Sequence, residues 1–326
     1  MKSKKTTNTS YIRIFLVSTV LFLAVGALYL HPFWEGAPYL FDGRLTPLIG
    51  DNEDFEIEAN GFLYAGSTTN LVDRHIYYFG MWEGEVLHFL RDVSMATPDS
   101  VFLDIGANTG QHSVFVAKYA KTVHAIEPYP PVLNTLNTLV TKNNADNVVV
   151  HAVGYSNEEG TLPFFAPSDE NLGTGSFDPD FSVNNRKIGD LPLVIGDKHL
   201  ASIGANRIDS IKVDIEGYER YALQGLRETL AANRPVVVIE INPTDGGFNS
   251  RAELDATFPK NYEYYYLLRG ARPTRNMLYI YDYFGYRYAY GPIVRGDYRL
   301  ESFDFVFNRQ SNIVATPLEK VEQLIH

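Results

Sequence analysis

The sequence predicts an α/β fold: a mostly parallel sheet with helices on both faces. Three observations predict it. From Val101 onward, short apolar runs alternate with longer segments of helical spacing. The first run ends in an acidic residue and a tight glycine turn, V-F-L-D-I-G-A-N-T-G at Val101–Gly110. A second, I-K-V-D-I-E-G at Ile211–Gly217, ends in the same manner. Such a sheet carries right-handed crossovers and a ligand crevice at the C-terminal ends of its strands.

Before that core comes a basic tail, residues 1–10, and then an apolar stretch, Tyr11–Leu30. Its length of about twenty residues suits a helix spanning a bilayer core. Lys2, Lys4, Lys5 and Arg13 precede or open it, so the positive-inside rule puts the N-terminus in the cytoplasm. A single-pass membrane anchor is expected. The rival reading is a cleaved signal peptide, for which the run is long and Ala24, Gly26 and Ala27 give a weak cleavage signal. Residues 31–60 read as a linker and lead-in segment, interrupted by Pro32, Pro38, Pro47, Gly36, Gly43 and Gly50. The acidic cluster Asp51, Glu53, Asp54, Glu56 and Glu58 reads as a solvated face.

Residues 61–326 form the main domain, with its core at 99–245. Residues 60–98 are expected to cap the first strand. Within them Met81–Arg91 has helical spacing, with Trp82, Val86, Phe89 and Leu90 as its packed stripe. Strands are expected at Val101–Asp104, Thr122–Ile126, Val148–Ala152, Ile208–Asp214 and Val236–Ile241. Helices are expected at Gln111–Ala120, Pro131–Asn143 and Tyr218–Ala232. Residues 157–204 form a long insertion poor in regular pattern, a length often tied to function. At the C-terminal sheet edge, residues 260–310, Tyr262–Leu268 and Phe303–Phe307 read as two strands. The loop between them is rich in tyrosine. It either stacks on a sugar or apolar acceptor, or packs as a β layer, as the alternation Tyr279, Tyr281, Tyr283 would allow.

Bulk properties narrow the function. A net charge of −11 with no long basic run disfavours nucleic-acid binding. A domain this acidic needs a tether to stay at an anionic membrane. With 0 cysteines there is neither a disulfide framework nor a Cys/His zinc cluster.

The first loop carries chemistry. Gly106 and Gly110 let the backbone turn sharply and approach a ligand. The loop is not G-x-G-x-x-G and lacks the Lys-Ser/Thr of a phosphate loop, which argues against dinucleotides and triphosphates. It fits S-adenosylmethionine (SAM), which carries no phosphate. Glu127 ends the next strand about 20 residues on, where a carboxylate can accept hydrogen bonds from both ribose hydroxyls. Its alternative is a surface glutamate at a strand end. Asp214 and Glu216 lie at the crevice mouth, placed to hold the positive end of SAM, to bind a substrate hydroxyl, or to cap the following helix. Lys212 shares a side with Asp214 and either neutralises it or contacts the SAM carboxylate or the substrate.

The pair D-I-G-A-N-T-G-Q-H and I-K-V-D-I-E-G-Y-E, followed by V-V-V-I-E-I-N, resembles the FkbM family of SAM-dependent methyltransferases. The likeness covers roughly Tyr78–Asn242, and Gly80-Met81-Trp82-Glu83 is similar to the lead-in of that family. The resemblance implies a Rossmann-like class I methyltransferase fold with a seven-stranded sheet, and O-methylation of a hydroxyl, often on sugars or polyketides. Carried over, Asp104, Gly106, Ala107, Asn108 and Gly110 would line SAM, Glu127 would hold its ribose, and Val153 would lie along its adenine. Asp214, Glu216 and Glu240 would face the transfer site. These three and His112 are the expected catalytic residues, a general base being worth roughly 10²–10⁴-fold. His112 otherwise reads as a helix-surface histidine, and His151 as structural. Asp214, Glu240 and Asn242 stand where oxygen ligands can hold magnesium, but acidic strand ends surround any SAM site and no metal is expected.

The expected function is SAM-dependent methylation of a hydroxyl on a glycan, glycolipid or other small molecule. The alternatives are a non-catalytic SAM-fold binding module at the membrane and a nucleotide-sugar or dinucleotide enzyme. The side of the membrane stays open, because the positive-inside rule exports the domain while SAM is made inside.

Overall fold

The apolar runs pair into one eight-stranded mixed sheet, seen in a computed structural model that describes residues 54–166, 175–179, 186–241, 244–269, 298–307 and 310–324. The elements are β1 (Asp54–Ala59), β2 (Phe62–Ser67), α1 (Leu71–Phe79), α2 (Gly84–Ala96), β3 (Val101–Ile105), α3 (Gln111–Val116), β4 (Thr122–Ile126), α4 (Pro130–Lys142), β5 (Val148–His151), β6 (Gly154–Ser156), β7 (Gly160–Ala166) and β8 (Arg186–Ile195). There follow α5 (Gly196–Ser202), β9 (Ser210–Val213), α6 (Glu219–Gln224), α7 (Arg227–Asn233), β10 (Val236–Ile241), α8 (Arg251–Thr257), β11 (Tyr262–Arg269), β12 (Tyr298–Ser302), β13 (Ser311–Pro317) and α9 (Leu318–Leu324).

The strand order is β12-β11-β13-β10-β9-β3-β4-β5. From β10 to β5 all neighbours are parallel, while β13, β11 and β12 add an antiparallel edge. The chain winds from β3 to β5 on one side and from β9 to β10 on the other. The switch between β3 and β9 is where such a sheet opens a crevice. Side chains alternate across it. Phe102, Val123, Val236 and Val238 join a core with α1–α4, whereas Leu103, Ile105, Ile211 and Val237 join one with α5–α8. Helices thus cover both faces.

The cap is tied to the glycine loop. Asn70 caps α1 through the N–H groups of Val72 and Asp73. Tyr64 on β2 is fully buried, and its hydroxyl donates to Asp73 Oδ1 at 2.6 Å and lies 3.0 Å from Thr109 Oγ1. Tyr64→Phe leaves that buried carboxylate oxygen short of a donor. The expected cost is about 1–3 kcal/mol, read as a lower urea midpoint at unchanged slope.

Several expectations are corrected. The central sheet has eight strands rather than seven. Phe303–Phe307 is irregular chain: its rings pack on one another, with Phe303–Phe305 centroids 5.1 Å apart, and Phe303 lies 4.8 Å from Tyr266. The antiparallel partners of β11 are instead β12, at the sheet edge, and β13, which lies between β11 and β10. The segment 31–60 is not linker throughout, since β1 pairs with β2 from Asp54 onward. The expected helix Tyr218–Ala232 breaks into α6 and α7 at Gly225, where a Cβ would lie 2.0 Å from the Ser156 carbonyl oxygen. The insertion 157–204 is regular where described: β7 and β8 form an antiparallel pair joined by β6. Gln111–Ala120 shortens to Gln111–Val116. The apolar stretch Tyr11–Leu30, Asn242 and the tyrosine-rich loop lie outside the described residues. Among the described residues no helix is long and apolar enough to cross a membrane.

Candidate functional site

The site grows from the tip of β3. Gly106, at φ 80°, and Gly110, at φ 95°, turn the chain into α3. The N–H groups of Gly106 and Ala107 both donate to the Ile126 carbonyl, at 3.0 and 3.1 Å. A Cβ on Gly106 would lie 1.9 Å from the Asp214 carbonyl oxygen, so the tips of β3 and β9 touch where only glycine fits.

Buried carboxylates surround this corner. Asp104 is 0% exposed; its Oδ2 accepts from Ser113 Oγ at 2.6 Å, and its Oδ1 has no partner among the described residues. Burial pushes it up to about 6. Glu127 is buried rather than surface-exposed, and accepts from the N–H groups of Asn108 at 3.0 Å and Tyr129 at 2.8 Å. Burial pushes it to about 7, against those two hydrogen bonds. A carboxylate has about four acceptor positions, so both its oxygens retain capacity for hydroxyl donors. Val153 is half-buried against the core beneath β5.

Strand register assembles the rest. Asp104 and Lys212 are direct cross-strand partners, and alternation puts both, with Glu240, on the face covered by α2 and α3. Lys212 is buried and its Nζ bonds Asp214 Oδ2 at 2.8 Å. Burial alone would pull the ammonium down, but Asp214, Asp104 and Glu83 hold it up. Asp214, Glu216 and Glu240 bring one oxygen each within 4.8 Å of one another, a donor set of the kind hard divalent cations accept. Glu240 Oε1 accepts from Gln310 Nε2 at 2.5 Å. Glu216 sits at φ 54°, and burial, then Asp214, raises its carboxyl well above the usual range. Glu219 Oε1 accepts the N–H groups of Gly217 and Ile215, at 2.9 and 3.3 Å, closing this second loop.

The structure therefore gathers Asp104, Asp214, Glu216 and Glu240 around the crevice, and sets Glu127 on the glycine loop. His112 is a buried residue, not a helix-surface one, and burial lowers it well below its ordinary value. His151 stands apart on β5, 3.1 Å from His124. Sequence reasoning passed over one residue. Glu83, in the G-M-W-E element, points inward at φ 49°, with Oε1 accepting from Asn312 Nδ2 at 2.7 Å and Oε2 3.6 Å from His112 Nε2. Gln111 clamps the preceding residue: its side chain accepts the Trp82 N–H at 2.7 Å and donates to the Trp82 carbonyl at 3.0 Å. The motif was visible, but its fold back onto α3 was not.

The profile of the Methyltransferase FkbM domain matches residues 104–288. The hexuronic acid methyltransferase AglP of Haloferax volcanii is 27% identical over 156 residues, 48% of this chain and 61% of AglP. The AMB antimetabolite synthetase AmbE of Pseudomonas aeruginosa is 25% identical over 220 residues, 56% of this chain and 10% of AmbE. The chain thus spans under two thirds of either relative. A crystal structure of methyltransferase FkbM from Methylobacillus flagellatus KT aligns with 67% of this chain and 44% of its own, at 18% identity and a TM-score of 0.37. With a profile match over more than half of its 326 residues, the chain belongs to the FkbM methyltransferase family.

Proposed function

We propose that the protein is a SAM-dependent O-methyltransferase acting on a hydroxyl of a glycan, glycolipid or other small molecule, tethered to a membrane by residues 11–30 with its N-terminus cytoplasmic. The observation that carries the cofactor reading is Asp104 Oδ1, a buried acceptor without a partner beside a corner that admits only glycine. An oxygen so placed suits a cationic or hydroxyl-bearing ligand. Asp104, Gly106, Ala107, Asn108, Gly110, Glu127 and Val153 would hold SAM. When bound, SAM supplies an electrophilic methyl group on a sulfonium. Asp214, Glu216, Glu240 and His112 face the acceptor, and Lys212 fixes Asp214. Alignment of the acceptor by these groups supplies most of the rate. The likeness to AglP, a hexuronic acid methyltransferase, supports a sugar acceptor.

Calorimetry of the full chain in detergent with S-adenosylhomocysteine (SAH) tests the reading. Wild type should bind, and Glu127→Gln should weaken binding by roughly 10–100-fold, the worth of a hydrogen bond to a charged group. No heat from SAH at millimolar concentration would remove the cofactor assignment. A reporter-fusion map beyond residue 30 tests the tether and its orientation.

A further inference from the structure

We propose that the cleft between the β1–β2 hairpin and α4 binds an uncharged saccharide, the glycan part of the acceptor. The sugar site stands on its own geometry, and its link to the acceptor rests on the methyl-transfer reading above. The cleft holds about 720 Å³, within the range of sites for small ligands. One wall is the face of α4 that carries Val132, Thr135, Leu139 and Lys142, spaced by three and four residues. The other is the hairpin, through Phe55, Glu56, Ala65 and Ser67. From Val132 to Lys142 the helix rises about 15 Å, so the cleft is elongated. At the Lys142 end the hairpin is fastened to the helix. Lys142 pairs with Glu56, and the Asn143 side chain accepts the Leu63 N–H at 2.7 Å and donates to the Leu63 carbonyl at 2.8 Å. The lining also includes Thr109 of the glycine loop, next to Asn108, whose N–H serves Glu127.

The chemistry of the lining selects the ligand. Hydrogen-bonding groups are left over: the Asn134 amide and the Thr135 hydroxyl make no hydrogen bond among the described residues, whereas Thr138 spends its hydroxyl on the Asn134 carbonyl at 2.8 Å. Asparagine and threonine are weak helix formers, so helix propensity does not account for them on α4. An amide and a hydroxyl each donate and accept, as the hydroxyls of a sugar require. Apolar surface lies among these groups. Phe55 is half-buried, its ring stacked at 6.2 Å on that of Tyr64, and Ala65 and Leu139 flank it in the lining. The C–H face of a sugar ring packs on such a surface while its hydroxyls turn to the polar groups. An acyl chain would instead leave the amide and hydroxyl desolvated and unpaired. Charge excludes an anion. Asp54, Glu56 and Asp73 line the cleft against Lys142, and Lys142 is spent on Glu56. A phosphate, sulfate or uronate would meet a net negative wall.

The test uses the full chain in a detergent without a sugar headgroup. An array of neutral and uronic-acid oligosaccharides finds the bound sugar, and calorimetry with the tightest neutral one measures it. Thr135→Val and Asn134→Ala should each weaken binding about 2–10-fold, the worth of one hydrogen bond. Thr135→Trp, which fills the cleft from α4, should abolish it. In all three variants SAH affinity should stay within threefold of wild type, and the thermal midpoint within about 2 °C, as for surface substitutions. Glu56→Gln, which frees Lys142, should raise affinity for the uronic-acid oligosaccharides. Labelled SAM should methylate the bound neutral saccharide. Absence of any binding on the array overturns the proposal, as does a uronic-acid oligosaccharide bound as tightly by wild type as a neutral one. Binding that survives Thr135→Trp places the sugar elsewhere and overturns it too. A bound saccharide that wild type does not methylate, although SAH binds, overturns the link to the acceptor. Saccharide binding by a chain that binds no SAH upholds the cleft and removes the methyl-transfer reading instead.

Discussion

Gly106→Ala is expected to abolish SAH binding and to destabilise the fold more than any conservative change elsewhere in the crevice. Two costs combine. The residue sits at φ 80°, where a side chain costs about 1–2 kcal/mol. Its Cβ would lie 1.9 Å from the Asp214 carbonyl oxygen and 2.7 Å from Ile215 Cγ2, so the tips of β3 and β9 must part. That contact is backbone, and the Asp214 N–H already bonds the Ile105 carbonyl at 3.1 Å, so neither side can yield cheaply. A loss of roughly 3–5 kcal/mol follows, in the range reserved for named packing or backbone failures. It should lower the thermal midpoint by about 6–15 °C. Gly189→Ala is the control. It lies on β8 with nothing within 4 Å of a built Cβ, and its midpoint should stay within about 2 °C of wild type. Equal effects at the two glycines would mean that the β3–β9 corner is not the constraint.

What made this corner legible in the sequence was local chemistry. Strand, carboxylate and glycine turn follow one another within Val101–Gly110, so period and turn residues alone located it. The same holds for Ile211–Gly217 and for the five parallel strands, whose apolar runs need no distant partner to be recognised. Contacts set by tertiary folding were not legible. The break at Gly225 is imposed by the Ser156 carbonyl, far away in sequence. Phe303, Phe305 and Phe307 alternate like a strand, yet they pack on their own rings and Tyr266, while Ser311–Pro317 takes the sheet position beside β10. Glu83 and Asn312 are 229 positions apart, so nothing in either segment announces their bond. The burial of His112 has the same origin: α2 closes over α3, and the loop motif says nothing of α2.

Lys212→Met should expose the electrostatic strain that the crevice carries, and its effect should depend on pH. The ammonium is buried among Asp104, Asp214 and Glu83, and removing the cation of a buried cluster costs about 3–5 kcal/mol because the carboxylates are left uncompensated. Protonation can relieve that cost. In wild type, Asp104 is raised to about 6 from 3.8, and Glu83, Glu127 and Glu219 to about 7 from 4.5. Raised carboxyl values mean that the folded chain binds protons more tightly than the unfolded one. Their contribution is therefore fully present below about pH 4 and is lost as pH climbs through 6 to 7. Lys212 lowers Asp104, Glu83 and Glu127 in wild type, so its loss moves all three further up. The deficit of Lys212→Met should then be small at pH 5, where these groups are largely protonated, and should grow steadily toward pH 8.5 as they are forced to ionise. Urea melts of both chains at pH 5, 7 and 8.5, analysed at a common slope, read this directly. A deficit that stays constant across the three would assign Lys212 a packing role through its aliphatic stem, and would leave the carboxylates of the crevice without the coupling that their register and burial require.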